Sequence, residues 1–297
     1  MKKHYLLPLV SVLGGFGGLF LRRMQLETAF EPASGLPIPG APATMALLAL
    51  SLAVAVALFF LARGGARVPT PYSAAFQYGC VPCFIIAEVG VACLATGAAM
   101  MLFGWRDAGG GALALCCGLF MLLAASCLSI ITARNSRNGW KGEGSVLLLA
   151  PPFACCLWLM LSYQSWARDP VVNDYMFALF AVIATMLAFY YMAAYSFGQP
   201  KETLTLFFGG LAVYFCIICL ADTYILTSPD SLFFLGAGIY MLIQILVLGK
   251  NRAAPFSNPN NILYDGGLTT NAAPAPQAVA EAAPAEARAE APAEEET

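Results

Sequence analysis

Eight long apolar runs occupy most of residues 5 to 249, and the gaps between them are too short to hold a soluble domain. A run of about 20 apolar residues is long enough to cross a bilayer as a helix. The whole chain is 60% hydrophobic and only 11% charged, which fits this interpretation. We therefore expect an all-α fold: a polytopic integral membrane helix bundle with eight transmembrane helices and a disordered C-terminal tail.

The apolar runs place the transmembrane bundle in residues 1–250. Each run has to be helical, because a backbone in hydrocarbon must satisfy its own hydrogen bonds and the alternating pattern of a barrel is missing. Pro151 and Pro152 remove two backbone donors and should bend the fifth span. The predicted spans are 5–21, 44–62, 81–104, 111–132, 145–166, 174–197, 203–226 and 232–249.

Residues 251–297 differ in composition from the bundle. From residue 272 onward the chain is mostly Ala, Pro and Glu, which bury too little apolar surface to offset the entropy lost on ordering. We expect a disordered cytoplasmic tail here, and this tail is a candidate binding segment for a cytoplasmic protein partner.

Basic residues are distributed unevenly between the two sides of the predicted bundle. One side carries Lys2, Lys3, Arg63, Arg67, Arg134, Arg137, Lys141, Lys201, Lys250 and Arg252, and the other carries Arg22, Arg23, Arg106 and Arg168. Because cytoplasmic loops are enriched in Lys and Arg, we expect a protein of the cytoplasmic (inner or plasma) membrane with both termini in the cytoplasm. Arg22 and Arg23 are expected to anchor a helix end at the interface, with recognition of an anionic solute or headgroup as the alternative.

Two acids stand out as a candidate intramembrane polar site. Glu88 lies about two turns into the third span, where a carboxyl must face the bundle interior or stay neutral. It is either a coupling or substrate-contacting carboxyl or a structural acid bonded to a neighbouring helix. Asp222, near the outer end of the seventh span, is either a vestibule residue or an interfacial acid. We expect the two acids near opposite membrane faces, which argues against a shared site.

Cysteine spacing suggests a weaker candidate. Cys80 and Cys83 form a C-x-x-C at the start of the third span, and Cys216 and Cys219 form another in the seventh. Such pairs can be dithiol redox centres or half of a metal site. The competing interpretation, which we favour, is that they are small apolar packing residues.

Gly14 and Gly18 form a G-x-x-x-G in the first span. Small residues at this spacing let a second helix approach closely. We expect helix packing here, with either another helix of the chain or a second subunit as partner, so the oligomeric state stays open. A broken helix lining a transport site is the alternative interpretation of the glycines.

Several classes of function find no support in the sequence. His4 is the sole histidine, so axial haem ligands within the bundle are missing, and no P-loop motif occurs. We predict no metal site, no cofactor and no enzymatic activity. The formal net charge of −2 gives no reason to expect a nucleic-acid partner.

Two functions remain open beyond contact with the lipid bilayer. The first is small-solute transport or a permease-like component, suggested by Glu88, the glycine-rich first span and the double proline. The alternative is a non-catalytic membrane scaffold or sensor that recruits a cytoplasmic partner through its tail. A thiol-redox or lipid-modifying enzyme would rest on Cys80 and Cys83 alone.

Overall fold

The computed structural model describes residues 5–31, 36–64, 72–104, 111–136, 146–166, 172–222 and 228–253. Within these ranges the chain is almost entirely helical, and a 3-10 turn, Leu147–Leu149, leads directly into α6. The helices are α1 (Leu6–Thr28), α2 (Pro42–Arg63), α3 (Tyr72–Ala75), α4 (Val81–Gly104), α5 (Ala112–Asn135), α6 (Ala150–Trp166), α7 (Val172–Ser196), α8 (Glu202–Cys219) and α9 (Pro229–Ala253).

Eight of these helices, all except the single-turn α3, are long and apolar enough to cross a membrane. Large apolar side chains on their outer surfaces are exposed, among them Leu52, Phe60 and Phe103. Exposed apolar surface on this scale is unfavourable in water and ordinary against lipid tails. The predicted all-α membrane bundle is confirmed, and the protein is a multi-pass membrane protein.

The two C-terminal helices form the centre of the bundle. Helix α8 packs against α1, α2, α7 and α9, and α9 also packs against α4. Helices α4, α5, α6, α7 and α8 pack in succession, each against the next. Because α9 packs against both α8 and α4, these six helices form a ring. Trp158 of α6 is buried and packs against the aromatic rings of Phe233 and Phe234 on α9.

Successive spanning helices run in opposite directions, so the bundle has two ends. We call them the Arg22 end, where α1, α4, α6 and α8 finish, and the Arg252 end, where α2, α5, α7 and α9 finish. These ends correspond to the two sides distinguished by the basic residues. Arg63, Arg134, Lys201 and Lys250 lie at the Arg252 end.

Several helix boundaries differ from the predicted spans. Helix α1 continues past both arginines to Thr28, and α8 ends at Cys219, seven residues before the predicted end of that span. Three successive i to i+3 backbone hydrogen bonds tighten the chain from Leu220 to Asp222. Hydropathy missed this end because apolar residues continue beyond it.

The double proline does not interrupt a helix. Pro151 and Pro152 lie in the first turn of α6, immediately after the 3-10 turn. The first backbone N–H groups of an α-helix have no partner within the helix, so proline costs little there. The two prolines therefore lie where the helix type changes at the start of the span, and the bend stays a prediction.

The boundary between bundle and tail also moves. Helix α9 includes residues 251–253, and the side chains of Asn251 and Arg252 are buried. The rest of the predicted tail, residues 254–297, lies outside the described residues.

Candidate functional site

Glu88 lies in the membrane-spanning part of α4, at the seam with α5. The hydroxyl of Ser129 on α5 donates a hydrogen bond to Glu88 Oε2 over 3.0 Å. Oε1 of the same carboxyl is buried and has no hydrogen-bond partner among the described residues. The neighbouring Ile85 and Val89 are exposed on the lipid-facing side of α4. Glu88 therefore lies at the edge of the bundle with half of its hydrogen-bonding capacity unused.

A buried group of polar side chains lies between Glu88 and the Arg252 end. We call it the tyrosine cluster, and it consists of Tyr72, Tyr78, Thr132, Tyr240 and Gln244. Its members come from α3, from the segment that precedes α4, from α5 and from α9. All of them are buried, with exposed fractions of 9% or less. A polar group this large is expensive inside a membrane protein unless its atoms find partners.

Hydrogen bonds satisfy only part of the tyrosine cluster. Gln244 Nε2 donates to the hydroxyl of Tyr78 over 2.6 Å. Tyr72 accepts a long hydrogen bond of 3.4 Å from the side chain of Asn135. Oε1 of Gln244 has no hydrogen-bond partner within the described ranges, and the hydroxyl of Tyr240 lies near that of Thr132 without a well-aligned hydrogen bond. Since Tyr240 and Gln244 are one turn apart on α9, these polar atoms lie on the same side of that helix.

The phenols of the cluster outside the spanning helices are neutral at physiological pH. Burial raises the pKa of Tyr78 and of Tyr72 well above the ordinary value, against the lowering effect of their hydrogen bonds. The charge of Glu88 acts on Tyr78 in the same direction, so the two groups lie within electrostatic range. The cluster offers hydrogen-bond donors and acceptors, and Glu88 lies within electrostatic range of it.

The segment that contributes Tyr72 and Tyr78 is fixed in place by backbone contacts. Asn251 Nδ2 donates to the carbonyl oxygens of Ala75 and Gln77 over 3.0 Å and 2.9 Å. The backbone N–H of Tyr78 donates to the carbonyl of Asn135 over 3.0 Å. The end of α9 and the end of α5 therefore hold this segment over the tyrosine cluster.

The spacing between α4 and α9 is set by two glycines. A Cβ atom at Gly236 would lie 2.6 Å from the carbonyl oxygen of Gly90, and one at Gly90 would lie 2.9 Å from that of Gly236. Only glycine allows two backbones to come this close. Gly236 precedes Tyr240 by one turn, so this contact holds Tyr240 close to α4, whereas Glu88, two residues before Gly90, lies on another face of α4 against Ser129 of α5.

Asp222 belongs to a separate assembly at the opposite end. Arg22 Nε lies 2.6 Å from Asp222 Oδ1, and Arg22 Nη1 donates to Gln25 Oε1 over 2.9 Å. Gln25 in turn donates to the hydroxyl of Thr44 over 3.0 Å, and the guanidinium lies over the ring of Phe177. We call this group the Arg22 assembly. Arg22 is completely buried, whereas 21% of the Asp222 side chain is exposed.

This arrangement corrects the prediction that Arg22 anchors a helix end at the membrane interface. Because α1 continues to Thr28, Arg22 lies inside the helix and its side chain faces α8. Arg23 is exposed, as an interfacial residue would be. Asp222 lies in the turn after α8 and pairs with Arg22 across 200 positions of sequence, so it is not a second carboxyl of the Glu88 region.

A second buried ion pair holds the other end of α8. Arg252 Nε lies 3.1 Å from Glu202 Oε2, and the exposed fractions of the two side chains are 8% and 10%. Arg252 Nη1 also donates to the carbonyl of Ala62 at the end of α2 over 3.1 Å. Helix α8 thus has an ion pair at its start and another just beyond its end.

The two C-x-x-C pairs occupy different environments. Cys80 Sγ donates to Cys83 Sγ over 2.9 Å where the chain enters α4, and both residues are partly exposed. Cys216 and Cys219 are buried inside the bundle, where Cys216 Sγ lies 3.7 Å from the hydroxyl of Thr185. Across the parts of the chain that the structure covers, no three Cys, His, Asp or Glu side chains are grouped closely enough to hold a metal ion.

Gly14 and Gly18 face α2 and α8 of the same chain. A Cβ atom at Gly18 would lie 2.7 Å from Ile218 Cδ1, and one at Gly14 would lie 2.9 Å from Val54 Cγ2. Gly15 packs equally closely against Ile217. The glycine-rich stretch remains a continuous helix, because α1 is unbroken from Leu6 to Thr28.

An apolar cavity lies apart from these polar groups, towards the Arg22 end of the ring. Its lining includes Leu94, Met121, Trp158 and Phe233. It does not include Glu88 or any member of the tyrosine cluster. It therefore offers no hydrogen-bonding chemistry comparable with that of the tyrosine cluster.

The tyrosine cluster was missed from sequence because its residues come from four separate segments. One signal was present, since Tyr240 and Gln244 form a polar pair at helical spacing within an apolar run. A second was the spacing of Gly90 and Gly97, which places both glycines on the face of α4 that contacts α9. The Arg22 assembly had no comparable local signal.

No known protein family, characterised protein or solved structure matches the chain.

Proposed function

We propose that the protein passes a small organic cation through the membrane without changing it chemically, and that Glu88 and the tyrosine cluster contact the solute. The supporting observation is the unused polar capacity of this region. Glu88 Oε1 and Gln244 Oε1 are both buried without hydrogen-bond partners among the described residues, and the buried hydroxyl of Tyr240 lies near that of Thr132 without a well-aligned hydrogen bond. Buried polar groups normally have partners. A transient solute would supply them here.

The chemistry of the region favours a cation over an anion. The carboxyl of Glu88 attracts positive charge when ionised, and the phenol rings can contact a cation through their faces. Gln244 Oε1 adds an acceptor that a hydrogen-bonding cation can use. A small alkylammonium ion combines positive charge with apolar surface and therefore suits this mixture of groups.

The ion pairs of α8 suggest how passage is controlled. The Arg22–Asp222 ion pair lies at one end of the bundle and the Glu202–Arg252 ion pair lies at the other. In this proposal the solute reaches the tyrosine cluster after the Glu202–Arg252 pair opens, since that pair is at the same end as the cluster. The distribution of basic residues supports a cytoplasmic location for the Arg252 end, in a cell membrane.

Reconstitution with a carboxyl-to-amide variant tests the proposal. Full-length protein in liposomes is exposed to rapid jumps of choline or tetramethylammonium chloride, and the transported charge is measured on a solid-supported membrane. We expect a transient current from the wild-type protein that falls about tenfold in Glu88→Gln, equivalent to about 1.4 kcal/mol of solute interaction. Glu27→Gln is the matched control, because Glu27 is an exposed carboxyl on α1.

Two results would overturn the proposal. One is a wild-type current that does not exceed that of protein-free liposomes for either cation. The other is an equal current in wild type and Glu88→Gln. A glycerol gradient followed by light scattering provides a neutral comparison, and glycerol flux as large as the cation flux would reject the selectivity for cations.

A further inference from the structure

The sulfur atoms of Cys80 and Cys83, at the start of α4, lie closer together than the C-x-x-C spacing alone requires. Cys80 precedes the first residue of α4 and Cys83 lies in its first turn, with their sulfur atoms 2.9 Å apart. A disulfide bond is about 2.05 Å long, so bond formation requires the sulfur atoms to approach by less than about 1 Å. The two sulfur atoms are therefore already placed to be joined as a disulfide once an oxidant takes up two electrons.

The surroundings hold this pair and leave it accessible. The preceding residues are fixed by the hydrogen bonds of Gln77 and Tyr78 to α9 and α5, and Cys83 is fixed by α4. Both cysteines are partly exposed at the Arg252 end of the bundle. Lys250, exposed at the end of α9, lies within electrostatic range of Cys83. A cation at this position would attract a small anionic reagent.

The second C-x-x-C provides an internal comparison. Cys216 and Cys219 have the same spacing but are both buried in α8 between neighbouring helices. Thiol–disulfide exchange requires a thiolate and access to the attacked sulfur atom. The two C-x-x-C pairs therefore have the same spacing, but a small disulfide can reach Cys80 and Cys83 and is kept from Cys216 and Cys219 by their burial.

We propose that Cys80 and Cys83 form a reversible dithiol–disulfide couple that exchanges with low-molecular-weight disulfides of the glutathione type. One cysteine, as its thiolate, attacks the small disulfide, forms a mixed disulfide and releases one small thiol. The other cysteine then loses its proton and displaces the second small thiol, forming the bond between Cys80 and Cys83. The cysteine pair loses two electrons and two protons, and the small disulfide gains both as two thiols. This inference does not depend on the proposed function.

Peptide mapping of the full-length protein tests the couple. The protein in detergent is incubated with glutathione disulfide, the remaining thiols are alkylated, and peptides containing each C-x-x-C are measured by mass spectrometry. We expect the Cys80–Cys83 peptide to lose two hydrogens and to regain them on treatment with reduced glutathione. Oxidation at Cys216–Cys219 should be at least about tenfold lower under the same conditions, because burial blocks access.

Single substitutions distinguish a couple from two independent thiols. In Cys83→Ser the second step cannot occur, so Cys80 should accumulate a glutathione adduct instead of an internal disulfide, and Cys80→Ser should show the same adduct on Cys83. Stable adducts on both cysteines of the wild-type protein would overturn the proposal. Oxidation of the two C-x-x-C pairs to the same extent, or an unmodified Cys80–Cys83 peptide, would also overturn it.

Discussion

The Arg22 assembly and the tyrosine cluster are both polar and buried, yet they use their hydrogen-bonding groups differently. In the Arg22 assembly the guanidinium contacts a carboxylate, an amide and an aromatic ring, and the amide continues to Thr44. In the tyrosine cluster Gln244 Oε1 has no hydrogen-bond partner among the described residues, and the hydroxyl of Tyr240 lies near that of Thr132 without a well-aligned hydrogen bond. The Arg22 assembly links α1 to α2, to α7 and to the turn that follows α8. In the tyrosine cluster, part of the hydrogen-bonding capacity remains available to a further partner.

This contrast shows that a buried charge is a poor guide to function by itself. Arg22 and Asp222 carry full opposite charges and are explained by their contacts with each other. Tyr240 and Gln244 carry no charge, yet their described contacts leave part of their hydrogen-bonding capacity unexplained. In a membrane interior, the informative observation is a polar atom whose cost is not offset by the surrounding structure.

The largest effect should come from removing one member of the Arg22 assembly. Asp222→Asn removes the carboxylate that pairs with the fully buried Arg22, and breaking a buried ion pair costs about 3 to 5 kcal/mol. Arg22→Leu should cost less, because the remaining Asp222 side chain is 21% exposed and keeps some contact with solvent. The apparent Tm in detergent, followed by tryptophan fluorescence, should therefore fall most in Asp222→Asn.

Arg23→Leu is the control for this comparison, since Arg23 is the exposed neighbour of Arg22. Its apparent Tm should stay close to that of the wild-type protein. If Arg22→Leu and Arg23→Leu lowered the apparent Tm equally, the contacts of the Arg22 assembly would not stabilise the bundle.

A smaller effect should come from the glycines that allow α1 to approach α8. In Gly18→Ala the new Cβ would lie 2.7 Å from Ile218 Cδ1, so side chains must shift, and overpacking typically costs about 1 to 3 kcal/mol. At Gly17 the nearest atom, Leu50 Cδ2, would lie 3.6 Å away, which is an ordinary contact. Gly17→Ala should therefore keep or raise the apparent Tm, because alanine is the better helix former. Equal losses in both variants would contradict the tight contact at Gly18.

The helices could be predicted from sequence, because each apolar run carries its own signal along the chain. The third span was predicted at residues 81–104, and α4 covers Val81–Gly104. The end of α8 at Cys219 could not be predicted, since apolar residues continue past it and only the turn to Asp222 reveals where the helix stops. Length and hydropathy determine which segments span, while the ends depend on local contacts.

The candidate site was predictable only in part. Glu88 could be recognised because a carboxyl in an apolar run is unusual, but its partner Ser129 is 41 positions away. Arg22 and Asp222 each had a local explanation as interfacial residues, and their pairing across 200 positions depends on the packing of α1 against α8. Pairings of this kind are properties of the folded bundle.

The smallest effect on stability should come from the tyrosine cluster, and it is the sharpest test of the comparison. Tyr214 shares a hydrogen bond of 2.9 Å with Ser51, so Tyr214→Phe should lose about 1 kcal/mol. The hydroxyl of Tyr240 lies near that of Thr132 without a well-aligned hydrogen bond, so Tyr240→Phe removes a buried polar group that is only weakly compensated. Its apparent Tm should be unchanged or slightly higher.

The same two variants should show the opposite order in transport. If the Tyr240 hydroxyl serves the solute and not the fold, Tyr240→Phe should lower the choline current while Tyr214→Phe leaves it nearly unchanged. A clear loss of stability in Tyr240→Phe would mean that the hydroxyl is already partnered in the resting protein. In that case, unused hydrogen-bonding capacity would no longer distinguish the tyrosine cluster from the Arg22 assembly.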